Sequence, residues 1–373
     1  MATLLDIDKN FAKEKVSGDD YIFVDIKNEP FRTYGIFFDE EIGEYCRMDK
    51  NAAEGTNEGV GVLNKNTSGG RVRFRTNAKK FVLRSNQRRF VISENLTMTA
   101  GTGFSVYADG VFHQSAMPPW NDGWKQKSMA KNPPNFGFDT LIEFNPYEDK
   151  EREITIYFPL YNGVDSVQIG LRDGDSLAEG GDYKYELPVV FFGSSTTQGA
   201  SCSRPGNSYD AMLSRMLDFD YINLGFSGSG RAEGEMTEYL ANLKCQVFVC
   251  DYDYNAFSAE YLEKTHLPLY RAFRKVQPDT PILFLSKADI ERKPWIYEPK
   301  ERRDVIYKTY QIALSEGDEN VAFIDGATLF GDDAFRDCCT IDSVHPTDLG
   351  FARMAEKVYP VLKQMLEKSQ VKK

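Results

Sequence analysis

The chain has 373 residues, 41% of them hydrophobic and 13% aromatic, and a formal net charge of -11. This length exceeds the usual single domain, and so much apolar surface excludes a disordered chain. An acidic surface with no dense basic run outside the terminal KSQVKK argues against nucleic acid, and no apolar run approaches the roughly 20 residues of a membrane span.

The opening stretch MATLLDIDKNFAKEKVSGDD has neither the basic nor the apolar segment of a secretory leader. A cytoplasmic location is therefore expected, or a secreted one had a leader been removed. Strand-like runs follow up to about residue 185. RVRFRT (Arg71 to Thr76) alternates polar and apolar residues with period two, as a strand with one wet face would. KKFVLRS, RRFVIS, GFSVYADGVFHQS, DTLIEF and REITIYFPLY continue the pattern between Gly, Asn, Asp and Pro clusters, and helical periodicity is scarce. Residues 1–185 are expected to form an antiparallel β-sandwich, jelly-roll-like.

From Leu187 the rhythm changes. PVVFFG, DYINLGF, CQVFVCDYD, PILFLSKA and NVAFIDGA are apolar runs, each followed by a stretch with apolar positions three and four apart. Continuous apolar strands alternating with amphipathic helices predict a parallel sheet covered on both faces. Five such strands fit a flavodoxin-like three-layer α/β domain over 186–373, closed by the helix DLGFARMAEKVYPVLKQMLEK.

The six cysteines are too sparse for a disulfide framework, although a pairing of Cys202 with Cys338 or Cys339 stays open. Cys245 and Cys250 bracket an apolar run and read as core. The three histidines, His113, His266 and His345, lack metal-ligand spacing, so no metal is expected.

Open α/β sheets bind ligands beyond the carboxyl ends of their strands, which directs attention to four segments. GSSTTQG (Gly193 to Gly199) places hydroxyls at a strand-to-helix turn, where helix amides favour a developing anion. The same residues equally suit a helix cap. NLGFSGSGR (Asn223 to Arg231) lets backbone approach a ligand closely. Its continuation GSGRAEG also fits a glycine pattern of dinucleotide sites, but it follows the second strand rather than the first. FVCDYDYNA (Phe248 to Ala256) offers Asn255 as an amide donor, with Asp251 and Asp253 as helix caps or substrate contacts. In DSVHPTDLG (Asp342 to Gly350), Pro346 biases His345 away from helical backbone. Asp342 can then hold one ring nitrogen while the other takes a proton from a serine. Thr347 or Asp348 caps the helix that follows.

Taken in order, these Ser, Gly, Asn and Asp/His segments resemble the SGNH (GDSL-type) hydrolase family. The resemblance implies Ser195 as nucleophile, with Gly228 and Asn255 joining the Ser195 amide in an oxyanion hole. It implies His345 as base and Asp342 as its orienting carboxylate. Ser194 stands where the family's aspartate usually precedes the serine, and Asp253 replaces a usual glycine. The first half is similar to the β-sandwich preceding the SGNH domain in some bacterial carbohydrate esterases, through NTSGGRVRFRT. Those relatives remove acetyl groups from plant polysaccharides or their oligosaccharides.

The resulting expectation is a serine acetylesterase acting on carbohydrate, without metal or organic cofactor. A non-catalytic glycan-binding protein of the same fold, or a nucleotide-dependent enzyme using the 228–234 glycine segment, are the alternatives. Arg204 and Asn207 in SRPGNS, Asp253, Trp295 in KPW, and Trp120 and Trp124 in MPPWNDGW are the candidate sugar contacts. Nothing resembles a lipase lid, which favours a short acyl group. Oligomeric state is undecided, and a homo-oligomer stays open.

Overall fold

The computed structural model describes residues 21–88, 93–118, 135–289 and 298–371. Short runs of alternating residues make the first half a stack of antiparallel strands: β1 (Ile22–Asp25), β2 (Arg32–Tyr34), β3 (Phe37–Asp39), β4 (Glu44–Cys46), β5 (Arg71–Thr76), β6 (Lys80–Gln87), β7 (Phe104–Ala108), β8 (Val111–Ala116), β9 (Phe136–Glu143), β10 (Arg152–Tyr157), β11 (Val164–Leu171) and β12 (Ala178–Glu179). One sheet has the order β1-β11-β6-β9 and the other β12-β5-β10-β7-β8, with β2 also pairing β5 and β3-β4 standing apart. Period-two alternation sends Val72, Phe74, Ile154 and Ile156 of one sheet against Leu83, Val167 and Ile169 of the other, so the two form a sandwich around one core.

Two expectations for this half need correction. RVRFRT does form β5, but its polar face is not wet at Arg71, which is fully buried. The first residue of β5 faces the second domain, where Arg71 is paired with Asp220. Helices also occur where periodicity was weak. Lys50–Thr56 and Glu58–Leu63 are each under two and a half turns, too short for a pattern, and begin at the side-chain caps Asp49 and Asn57. RRFVIS runs through residues 89–92, outside the described residues.

The second half carries five parallel strands, β13 (Val189–Gly193), β14 (Tyr221–Gly225), β15 (Val247–Asp251), β16 (Ile282–Leu285) and β17 (Val321–Ile324), in the order β14-β13-β15-β16-β17. Every residue of β13 and β15 is buried, as strands covered on both faces require. Phe191 points to one face, against Tyr209, Leu213 and the closing helix's Phe351 and Val358. Phe192 points to the other, against Met236, Leu262 and Phe273. This is the flavodoxin-like three-layer arrangement.

The two cores are continuous with the β-domain. Ala100, Tyr107, Tyr157, Leu160 and Tyr161 belong to the first face's cluster, and Met48, Ala53 and Val60 to the second's. All six cysteines are free thiols; Cys202 points at the Arg204 carbonyl and Cys339 at the Phe335 carbonyl. No helix among the described residues is long and apolar enough to cross a membrane.

Candidate active site

Register sets the site. Gly193 lies opposite Gly225 on one side and Asp251 on the other, so three strands end level. Ser195, Gly228 and Asn255 follow two to four residues later and therefore gather at one sheet edge. Ser195 opens the helix Ser195–Gln198, and Ser194 is its cap, accepting from Thr196 N at 3.2 Å. Ser194 thus serves the turn with its side chain, while Ser195, 7% exposed, turns its hydroxyl to the cleft. Beneath the turn, the buried Asp251 carboxylate accepts from Thr197 Oγ1 and Tyr209 OH, both at 3.2 Å. Burial and the nearby Asp253 push its pKa well up.

His345 arrives from the loop before the helix Asp348–Val371. Its Nε2 is 2.9 Å from Ser195 Oγ, and its Nδ1 is 2.7 Å from Asp342 Oδ2. The backbone N–H groups of Val344 and His345 donate to Asp342 Oδ1 at 2.9 and 2.8 Å. Burial by itself would raise the Asp342 pKa; hydrogen bonds from His345 and Val344 outweigh it and hold the carboxyl below its usual range. Asp342 is therefore held in its ionised form, as orientation of the Nδ1–H tautomer requires.

The Phe226 carbonyl shapes the opposite wall. It accepts from Ser229 N (2.9 Å), Gly230 N (3.0 Å) and Asn255 Nδ2 (2.8 Å). One amide hydrogen of Asn255 is fixed in this way, leaving the second for a ligand. Gly228 has a φ of 69°, and a β-carbon there would meet nothing within 4 Å, so glycine is needed for conformation rather than space. The N–H groups of Ser195 and Gly228 meet no protein acceptor among the described residues. A β-carbon on Gly230 would stand 2.3 Å from the Gly193 carbonyl. Packing onto the end of β13 thus requires glycine at 230, whereas a β-carbon at Gly234 would meet nothing within 4 Å.

Residues 186–363 match the model of the GDSL-like lipase/acylhydrolase family, and residues 21–177 match that of the N-terminus of SGNH-hydrolase-type esterases. The chain is an SGNH hydrolase. As a member of that family it is a carboxylic ester hydrolase. No curated protein matches it. Among solved structures, a Bacteroides ovatus protein described as a GDSL-like lipase is similar over 93% of this SGNH hydrolase and 98% of its own chain, with 26% identity and a TM-score of 0.78. A salicylyl-acyltransferase from a tetracycline biosynthetic pathway covers 94% and 98% at 15% identity, TM-score 0.72. An active-site mutant of a family two carbohydrate esterase from Clostridium thermocellum covers 91% and 99% at 14% identity, TM-score 0.61. The last two likenesses are of fold.

The candidate sugar contacts of this SGNH hydrolase lie in varied places. Trp120, Trp124 and Trp295 are outside the described residues. Asn207 is 6% exposed, and its amide donates to Asp348 Oδ2 (2.9 Å) and Ser203 Oγ (3.2 Å), which occupies it inside the loop. Arg204 packs its guanidinium 3.7 Å from the centre of the Phe112 ring, on the β-domain. Thr347 Oγ1 accepts from Gly350 N and starts the closing helix, leaving Asp348 free to tie down residues 203–207.

Asp253 is 1% exposed, so it is a core carboxyl rather than a rim contact. Its Oδ2 accepts from Lys287 N at 2.8 Å and its Oδ1 has no hydrogen-bond partner. Burial, only partly offset by Lys287 and Arg302, raises its pKa from 3.8 to about 6. A carboxyl whose folded pKa is raised stabilises the fold at low pH and loses that contribution as pH rises through about 6. Asp253→Asn is therefore expected to exceed wild type by about 3 kcal/mol at pH 8 and to match it near pH 4. Thermal melts across that range check this; a less stable variant at pH 8 would contradict it.

Several neighbours of the site had no signal in the sequence. Asn95, Asn57, Ser68 and Arg47 reach it from the β-domain, and Arg231 and Phe257 border it. Arg231 donates to the Gly228 carbonyl at 2.5 Å and lies 4.3 Å over the Phe257 ring, which is 66% exposed beside Asn255.

Proposed function

We propose that this chain is a serine esterase that removes short acyl groups, acetyl foremost, from carbohydrates. The observation that carries the reading is the unbroken line from Ser195 Oγ through the His345 ring to Asp342, at 2.9 and 2.7 Å. His345 Nε2 takes the Ser195 proton as Oγ attacks the ester carbonyl. The oxyanion is received by the N–H groups of Ser195 and Gly228 and by the Asn255 amide, each donor contributing roughly 3–4 kcal/mol to the barrier reduction. Collapse breaks the bond to the sugar oxygen, which leaves with the proton from His345. Water then gives a proton to His345 and attacks the acyl-serine, and His345 returns that proton to Ser195 Oγ as the Oγ–acyl bond breaks and the acid leaves. Asp342 stabilises the imidazolium formed in each half.

Support for carbohydrate comes from the fold likeness to family two carbohydrate esterases, one of them solved with cellohexaose. The Phe257 ring, two residues after Asn255 and exposed although Arg231 lies over one face, supplies apolar surface of the kind sugar rings stack on. Acetylated manno- and xylo-oligosaccharides, incubated with the protein and read by mass spectrometry, are expected to lose acetyl groups. Hydrolysis of p-nitrophenyl acetate with every oligosaccharide left intact would remove carbohydrate from the proposal. Binding of those oligosaccharides with no hydrolysis of either would favour the glycan-binding alternative. Thermal protection by NAD(P) would favour the nucleotide one.

A further inference from the structure

The β-domain touches three of the four segments of the site. Arg47 Nη1 donates to the Gly225 carbonyl at 2.6 Å, at the root of the Gly228 loop, and Asn57 Nδ2 donates to the Ser229 carbonyl at 3.1 Å. Ser68 Oγ donates to the Gln198 carbonyl at 2.7 Å, at the end of the Ser195 helix. These contacts hold backbone. A fourth reaches a side chain of the proposed triad: Asn95 Nδ2 donates to Asp342 Oδ2 at 2.8 Å, the same oxygen that accepts from His345 Nδ1.

We infer that Asn95 is a positioning residue for the acyl transfer, through which the β-domain aligns Asp342 with His345 and ties the aspartate loop to the serine loop. The inference rests on the triad reading given above. Asp342 Oδ1 is engaged by its own loop, through Val344 N and His345 N. Local backbone thus fixes one oxygen, and a donor from another domain fixes the other. A neutral N–H at Oδ2 restrains rotation of the carboxylate and steers its remaining lone pair toward Nδ1, without adding a charge that would alter the imidazole.

Asn95 is itself anchored. Its carbonyl accepts from Ser201 Oγ at 2.8 Å, and Ser201 lies on the loop that leaves the Ser195 helix, at a φ of 74°. Two residues on, Thr97 Oγ1 donates to the Ser203 carbonyl at 2.7 Å and caps the helix Met98–Thr102. Ala100 of that helix accepts from Leu160 N at 2.9 Å and packs in the same core as Phe351 of the closing helix. Residues 95–97 therefore form a strap with one contact on the aspartate loop and two on the serine loop. A strap on a packed helix holds its geometry better than a free surface loop.

The test uses the full chain, with kcat and KM for p-nitrophenyl acetate, the rate of Ser195 labelling by a fluorophosphonate, and thermal melts. Asn95→Ala is expected to lower kcat about tenfold and slow labelling in parallel, with KM and the melting temperature close to wild type. Asn95→Asp is expected to lose more, because a second carboxylate repels Asp342 from its place. Ser201→Gly keeps the backbone conformation while releasing the Asn95 carbonyl, and a severalfold loss of kcat is expected. Wild-type kcat and labelling in a folded Asn95→Ala or Asn95→Asp protein would overturn the inference. Should neither fold, wild-type kcat in Ser201→Gly would do so. Ser195→Ala, run alongside, separates the two ideas: full activity there defeats the triad reading itself, whereas an inactive Ser195→Ala beside unaffected Asn95 variants defeats only the strap.

Discussion

Ser195→Ala is expected to lower kcat/KM for p-nitrophenyl acetate by at least about ten-thousandfold while leaving the fold intact. The hydroxyl removed is the atom that would attack, and it meets His345 Nε2 at 2.9 Å. The neighbouring hydroxyl provides the contrast. Ser194 caps the turn through Thr196 N, so Ser194→Ala should cost about 1 kcal/mol of local stability and retain hydrolysis. The measurement is initial rate and acyl-enzyme burst for both variants. Equal hydrolysis by Ser195→Ala and wild type would show that the nucleophile lies elsewhere.

The largest effect on stability is expected at the domain junction. Arg71 is fully buried on β5 and donates to Tyr183 OH at 2.8 Å, the Tyr221 carbonyl at 3.1 Å and Asp220, with its guanidinium 4.0 Å from the centre of the Tyr221 ring. Tyr183 lies on the chain leading into β13, and Asp220 and Tyr221 at the start of β14. Arg71→Met keeps most of the apolar volume but strands Asp220 as a carboxylate with its cation gone, at a cost of about 3–5 kcal/mol. Adding Asp220→Asn should restore part of that loss, because the neutral amide no longer needs the partner. Urea midpoints of the two single variants and the double variant measure the coupling. An Arg71→Met variant within about 1 kcal/mol of wild type would mean that the junction tolerates the half-buried Asp220 without its cation, contrary to this reading.

What proved legible in the chain follows a pattern. PVVFFG through NVAFIDGA correspond to β13–β17 because strands buried on both faces must be apolar along their whole length, a requirement visible in any window of six residues. AEYLEKTHLPLYRAFRKV is the helix Ala259–Val276 for the same local reason, its apolar positions lying on one face. The region from Ile22 to Leu63 was opaque: three-residue strands and two-turn helices carry no period and are held by capping side chains and by contacts with the other domain. Candidate contacts near the serine were harder still. Asn207 and Asp253 looked like rim residues by type and position, and both are buried, because hydrogen-bond partners far along the chain take them inward.

By itself, then, the amino-acid order determined the two classes of architecture, the strand-end segments worth inspecting, and the serine, glycine, asparagine and aspartate/histidine that the family resemblance picked out of them. Local periodicity and backbone chemistry act over a few residues, so they are written wherever those residues stand. Tertiary structure alone decided that Arg71 is a buried bridge, that Gly230 packs on a strand end, and that Asn95 meets Asp342. Each of those depends on a partner more than a dozen residues away in sequence and on a register between strands. No local pattern encodes such a meeting, because the energy that selects it is released only when both surfaces are already folded.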